Sequence, residues 1–349
     1  MPGIVVGTDP GTKSLDAMGM RRDGTLVLDE SFEYSQLPGK FLESLEPLAR
    51  EIECLIAPSG YGTAFKKLSD STEEDLREIL PKEDPRIPVN ETIRTLYQLL
   101  RHLPVPAYLL PGVIHLPTVP WYRKTNKMDM GTADKLCVAA LGIYSQVRRF
   151  GLQPSETSFI LLEIGYGFNA CLAVKGGKVI DGLGGTSGSL GFLSPGALDA
   201  ELAIRIPSSS QYVLFTSGAR ALAGGGIEPE ELPRHDDAWR AFVEGMKKMV
   251  AQMLVTLPDP LELIISGRLS TLPELREEIE LSYGSKFKLH WLRDWRKGRK
   301  AKEAAEGACI LAAGIAGWEP YKEVFQTLEI ERSSGRIWDY VKMEVSLEY

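Results

Sequence analysis

The stretch IVVGTDPGTKS, residues 4–14, decides how the rest of the chain is read. Ile4, Val5 and Val6 are apolar and β-branched and predict a buried strand, while Gly7 and Gly11 let the backbone turn tightly and come close to a ligand. Successive N–H groups in the turn can converge on a phosphate. The Thr12 and Ser14 hydroxyls and the Lys13 ammonium add donors, and Asp9 is placed to hold a hydrated magnesium ion. A strand ending in a glycine turn is also an ordinary tight connection, so the phosphate reading depends on the later sequence.

A second stretch answers the first. Residues 158–181, SFILLEIGYGFNACLAVKGGKVID, repeat the strand, glycine turn, strand, turn, strand plan of residues 4–32, with Glu163, Gly165 and Gly167 answering Asp9 and Gly11 and with Asn169 close behind. Coincidence aside, this predicts two related α/β domains facing each other across a cleft, each offering a phosphate turn. The glycine- and serine-rich run GLGGTSGSLGFLSPG, residues 182–196, reads as a nucleotide-facing loop presenting Gly185, Thr186, Ser187 and Gly188. Residues 261–265 form a strand followed by Ser-Gly-Arg, so Gly267 and Arg268 mark a strand-to-helix junction able to hold an adenosine against its backbone.

Between these turns, residues 41–53 predict a helix and residues 54–57 a buried strand ending in the loop 58–63. Loops at the carboxyl ends of such strands bind ligands in open α/β folds, which makes Ser59, Gly60, Tyr61 and Thr63 candidate substrate contacts, with an ordinary turn as the alternative. The proline-punctuated segment 111–129 is long and polar without periodicity and reads as a functional loop. Its Arg123 and Lys124 are candidates to neutralise a substrate carboxylate or transition-state charge, though surface cations look the same in sequence. The helix 132–150 begins at Thr132, a suitable N-cap, and places Asp134 in its first turn. There the helix dipole favours a carboxylate, and Asp134 is the candidate to orient or deprotonate an acceptor hydroxyl.

At 349 residues, with 44% hydrophobic content, the chain is long enough for two cores, and its net charge of −7 argues against nucleic acid or an anionic membrane as a general partner. The densest basic run, residues 293–302, reads as the solvated approach to a helix, a patch for an anionic partner being the alternative. Four widely spaced cysteines, Cys54, Cys137, Cys171 and Cys309, fit no zinc or dithiol pattern and read as buried hydrophobes. With no apolar run of about 18 residues and no charged secretory start, a cytoplasmic protein is expected. The expected partner is a small molecule, with a homodimer left open.

Taken in order, GTDPGTKS, LLEIGYGFNA, LIISGRLS and the small-residue helix AKEAAEGACILAAG resemble the two phosphate motifs, the adenosine motif and the connecting helix of the acetate and sugar kinase, heat-shock ATPase and actin superfamily. The segment 163–196, through Phe192, Ser194 and Pro195, is similar to the corresponding stretch of butyrate kinases, and the whole chain resembles a largely archaeal family labelled predicted butyrate kinases. The resemblance implies two ribonuclease-H-like domains, residues 1–150 and 151–349, each a mixed five-stranded sheet flanked by helices, with the C-terminal helix and tail free to pack back on the first. It implies ATP with Mg2+ held by Asp9 and Glu163, and phosphates held by Gly11, Thr12, Lys13 and Ser14. The expected activity is phosphotransfer to a small acceptor, a nucleotide-driven ATPase switch or a non-catalytic nucleotide-binding protein being the alternatives. Two departures stand out. Carboxylate kinases carry Asn in the first turn and His opening the second, where this chain has Asp9 and Glu163; residues 131–135, GTADK, are instead similar to the Gly-x-Asp-Arg motif of type III pantothenate kinases, with Lys135 for the Arg.

Overall fold

A computed structural model of the chain describes residues 3–80, 88–207 and 211–343. The opening hairpin becomes three antiparallel strands, β1 (Ile4–Pro10), β2 (Ser14–Arg21) and β3 (Leu26–Glu33). On the other side of β1, β4 (Ile52–Ile56) pairs parallel, then β6 (Ala107–Leu109), with the two-residue β5 (Lys66–Lys67) at the edge. The order is β3-β2-β1-β4-β6-β5. The second half repeats the scheme. Strands β7 (Ser158–Ile164), β8 (Asn169–Lys175) and β9 (Lys178–Leu183) are antiparallel, β10 (Glu262–Ser266) and β11 (Lys288–Trp291) run parallel to β7, and the order is β11-β10-β7-β8-β9. Two mixed α/β sheets of matching topology result, the first carrying one short strand beyond the five expected.

Each sheet buries both faces, and the two-residue period of a strand decides which side chain serves which layer. Ile4 and Val6 join an outer core with Phe41 and Leu96, whereas Val5 points into a central core shared with Phe159 and Leu311. That central layer is made by the helices Ala133–Phe150 and Glu303–Ile315, which lie against each other between the sheets. Glycine permits the contact: a Cβ on Gly307 would overlap the Cys137 carbonyl, and one on Gly7 would overlap the backbone at Cys309. The helix Asp236–Thr256 covers the far face of the second sheet with Phe242, Met246 and Met249. All four cysteines are buried and free.

One expectation is corrected outright and a second in part. The helix foreseen over 41–53 stops at Leu45, because Pro47 opens a separate 3-10 turn and residues from Ile52 onward are drawn into the sheet beside β1. The basic run 293–302 is a solvated approach only in part: Lys297, Arg299 and Lys300 are exposed, while two of its cations turn inward. Arg296 is 6% exposed and bonds Glu306 Oε2 at 2.5 Å and the Ala301 carbonyl at 2.8 Å, and Lys302 turns inward to Asp16. The tail, in its described part, is a packed element: Phe325, Leu328, Ile330 and Ile337 are buried in the central core, and Ser333 Oγ accepts a hydrogen bond from the Phe65 N–H. No helix among the described residues is long and apolar enough to cross a membrane.

Candidate active site

The carboxyl ends of β1 and β7 open onto one cleft of about 270 Å3. From the first half it is lined by Asp9, Gly11, Thr12 and Lys13, by Tyr61, and by Asp134 and Lys135; from the second by Glu163, Gly165, Gly167, Gly185, Thr186, Gly267 and Arg268. The two glycine turns, the glycine-rich loop and the strand-to-helix junction therefore meet around one volume. Gly267 takes φ of 92°, and a Cβ there would overlap the Ile164 backbone, so the junction depends on glycine.

Electrostatics in the cleft are unbalanced in an informative way. Desolvation pushes the Asp9 carboxyl up to about 8; Lys302 pulls the other way, while Asp134 and Asp16 add like charge. Asp9 Oδ1 and Glu163 Oε2 are buried without a hydrogen-bond partner. Lys135 joins the halves, donating to Asp134 Oδ2 at 2.5 Å and to Glu163 Oε1 at 2.9 Å. Burial opposes ionisation of Asp134, but Lys135 and the Thr132 hydroxyl outweigh it and hold this carboxyl below its ordinary value. Glu163, with the same burial and a smaller share of the lysine, is shifted upward. The Thr132 hydroxyl accordingly serves the Asp134 side chain rather than capping the helix backbone.

Several expected residues sit elsewhere. Ser14 Oγ lies behind the turn, donating to Asp16 Oδ2 at 3.0 Å. Ser59 Oγ donates to the Ala57 carbonyl and accepts from the Leu110 N–H, both within the protein. Arg123 donates to the Ile180 carbonyl at 2.7 Å and lies 3.6 Å from Asp181, on the edge of β9. Lys124 is buried against the Leu116 carbonyl and the Tyr340 hydroxyl, and desolvation takes its ammonium down to about 8. Asn169 Nδ2 donates to the Leu190 carbonyl. Ser187 Oγ donates to the Asp129 carbonyl, and the Gly188 N–H closes a turn on the Gly184 carbonyl. None of these seven lines the cleft.

The structure adds residues that the sequence reading passed over. Asp129 ties the glycine-rich loop to the Asp134 segment, accepting from the Thr186 and Gly131 N–H groups at 3.1 and 3.0 Å. Lys302 and Glu303 enter the cleft from the start of the connecting helix, and Asp16 lies buried behind the first turn. Asp16 had a sequence signal, a carboxylate inside the apolar run of β2. Lys302 had a fainter one, a basic run leading straight into a helix too rich in alanine and glycine to be solvated.

This topology, with glycine turns from both sheets lining one cleft, matches the two-domain fold of acetate and propionate kinases. Similar solved structures include a propionate kinase from Francisella tularensis subsp. tularensis SCHU S4 (12% identity, TM-score 0.62, covering 88% of this chain and 98% of that one). An acetate kinase from Entamoeba histolytica is similar too (13% identity, TM-score 0.59, 81% of this chain and 87% of that one). At such identities the likeness is one of fold. Residues 7–343 match the family described as Protein of unknown function (DUF1464), and the chain belongs to that family. No curated protein matches it.

Proposed function

We propose that this chain is an ATP-dependent phosphotransferase for a small-molecule acceptor, working in the cytoplasm. The observation that carries the reading is the convergence of two glycine turns on one cleft whose buried carboxylate oxygens, Asp9 Oδ1 and Glu163 Oε2, lack partners. Such oxygens suit a hydrated divalent cation. No group of three or more candidate metal-ligating side chains occurs among the described residues, so Asp9 and Glu163 would hold Mg2+ through its water, the usual arrangement for an ion that arrives with nucleotide. Bound there, the ion supplies charge neutralisation to the phosphates.

The chain's own groups account for the remaining requirements. Phosphoryl transfer needs positioning and electrostatic stabilisation more than covalent participation. The turn residues Gly11, Thr12 and Lys13 line the same cleft as Gly165 and Gly167, and Gly267 with Arg268 offers the nucleoside side. Asp134, held ionised, accepts a hydrogen bond from an acceptor hydroxyl and so fixes its line of attack. A carboxylate with a depressed pKa is better suited to orienting that hydroxyl than to removing its proton early. Tyr61, Ile79, Leu80 and Ile93 add a largely apolar stretch to the cleft lining, which with Asp134 fits a short aliphatic alcohol; a carboxylate of the butyrate kind, with no hydroxyl proton to give Asp134, is the second candidate.

The test is ADP release across short-chain carboxylates, pantothenate-like alcohols and sugars, with a no-acceptor control. Acceptor-dependent release with a phosphorylated product is expected. Release independent of every acceptor and raised by a partner protein would replace the kinase reading with an ATPase switch, and absence of any nucleotide-induced melting shift would remove both.

A further inference from the structure

We propose that Lys302 contacts the terminal phosphate of a bound nucleoside triphosphate, as a cation delivered from the connecting helix rather than from either glycine turn. The inference rests on the nucleotide reading above and assigns it a residue outside the turns. Lys302 is the residue just before the helix Glu303–Ile315, and its side chain reaches the cleft beneath the first turn. Its Nζ lies 2.5 Å from Asp16 Oδ2, 3.0 Å from Ser14 Oγ and 4.0 Å from Asp9 Oδ2. A Cβ on Gly11 would overlap this nitrogen, so glycine at position 11 is what leaves the ammonium open to the turn above it.

An ammonium carries three donors, and Asp16 and Ser14 take two. The other cations of the cleft are committed differently. Lys135 is held between Asp134 and Glu163, Lys13 is 40% exposed at the mouth and paired with Glu228, and Arg268 lies over the Tyr166 ring. Of these four cleft cations, Lys302 is the one whose ammonium sits against Gly11, at the base of the first turn. Stability alone is a poor reason for placing a lysine there, because a buried ion pair contributes little over an apolar replacement of similar size. A preorganised ammonium lining the cleft, by contrast, stabilises phosphate charge at little cost in reorganisation.

Calorimetric titration of wild type, Lys302→Met, Lys302→Gln and Lys302→Arg with AMP, ADP and a non-hydrolysable ATP analogue, each with Mg2+, tests the assignment. For a charge-assisted contact, the Met and Gln variants should lose about 10- to 100-fold in affinity for the triphosphate while AMP affinity stays within about twofold, and Arg should recover part of the loss. Equal losses for all three nucleotides, or no loss for the triphosphate, would overturn it. Gln keeps hydrogen bonding to Ser14 and Asp16 without the charge, so it serves should the Met variant not fold. Failure of wild type to bind any nucleotide would sink the nucleotide reading itself; binding by wild type that the variants copy would remove only the role of Lys302.

Discussion

A carboxylate buried beneath a glycine turn must be neutralised by a proton or by a cation, and Asp9 is poised between the two. Its carboxyl is raised to about 8 by desolvation against the pull of Lys302, so between pH 4 and 8 the folded chain binds a proton that the unfolded chain has released. The sign follows directly: in that window, without metal, stability falls as pH rises. Asp9→Asn removes the dependence, and its melting temperature should fall less steeply than that of wild type from pH 5 to 8. Added Mg2+ and nucleotide should raise the wild-type melting temperature more at pH 8 than at pH 6, and Asp9→Asn should lose that increment. Parallel melting curves for the two proteins would exclude the linkage. Lys135 sets a different case, since its ammonium satisfies two carboxylates at once. Lys135→Met leaves both buried and uncompensated, and a loss of roughly 3–5 kcal/mol in urea unfolding is expected. A loss below about 1 kcal/mol would mean that water reaches Asp134 and Glu163 freely.

At the scale of elements, the segment around Arg123 closes an edge. Strand β9 ends its sheet, and its outward carbonyls at Val179 and Ile180 accept from Thr118 Oγ1 and Arg123. An open edge strand invites pairing with another chain. Arg123→Ala should therefore cost about 1 kcal/mol and raise light scattering at high concentration, while nucleotide affinity stays unchanged. Reduced turnover with unaltered stability and scattering would return Arg123 to the chemistry. The connecting helix makes a second element-scale case: Gly307→Val drives a branched side chain into the Cys137 carbonyl and should destabilise by about 1–3 kcal/mol or more in the same urea experiment. Both cases mark what sequence makes legible. Gly11, Gly167 and Gly267 announce themselves because a β-branched run and a turn glycine are local signals, and the alternation of Val5 with Ile4 and Val6 already carries the two buried faces of β1. Polar residues beside those turns are another matter. Ser59 and Asn169 look like ligand contacts until the packing gives their hydrogen bonds to backbone carbonyls, and Lys302 looks solvated until its helix is seen docked on β1.

For the whole molecule, the decisive feature is that the last third of the chain returns to the first sheet. Val5, Cys54 and Ile56 on β1 and β4 share a core with Ala305, Ala308, Cys309 and Leu311, and with Phe325 and Ile337 beyond them. The chain thus crosses between its halves twice, once through the helix Ala133–Phe150 and again through Glu303–Ile315. A fragment of residues 1–150 would keep the first sheet and its outer helices but expose the inner face. Each large apolar side chain so exposed forfeits roughly 1.5–3 kcal/mol, and a handful of them matches the 5–15 kcal/mol by which a typical protein is stable. Residues 1–150 alone should therefore lack a cooperative urea transition and bind hydrophobic dyes. Co-expression with residues 151–349 should restore both a single transition and the nucleotide-induced melting shift, because the cleft needs turns from both halves. A cooperative transition in the isolated fragment would show that the first sheet folds without the connecting helix, and would make the halves independent units joined by a hinge rather than one core wound from both ends of the chain.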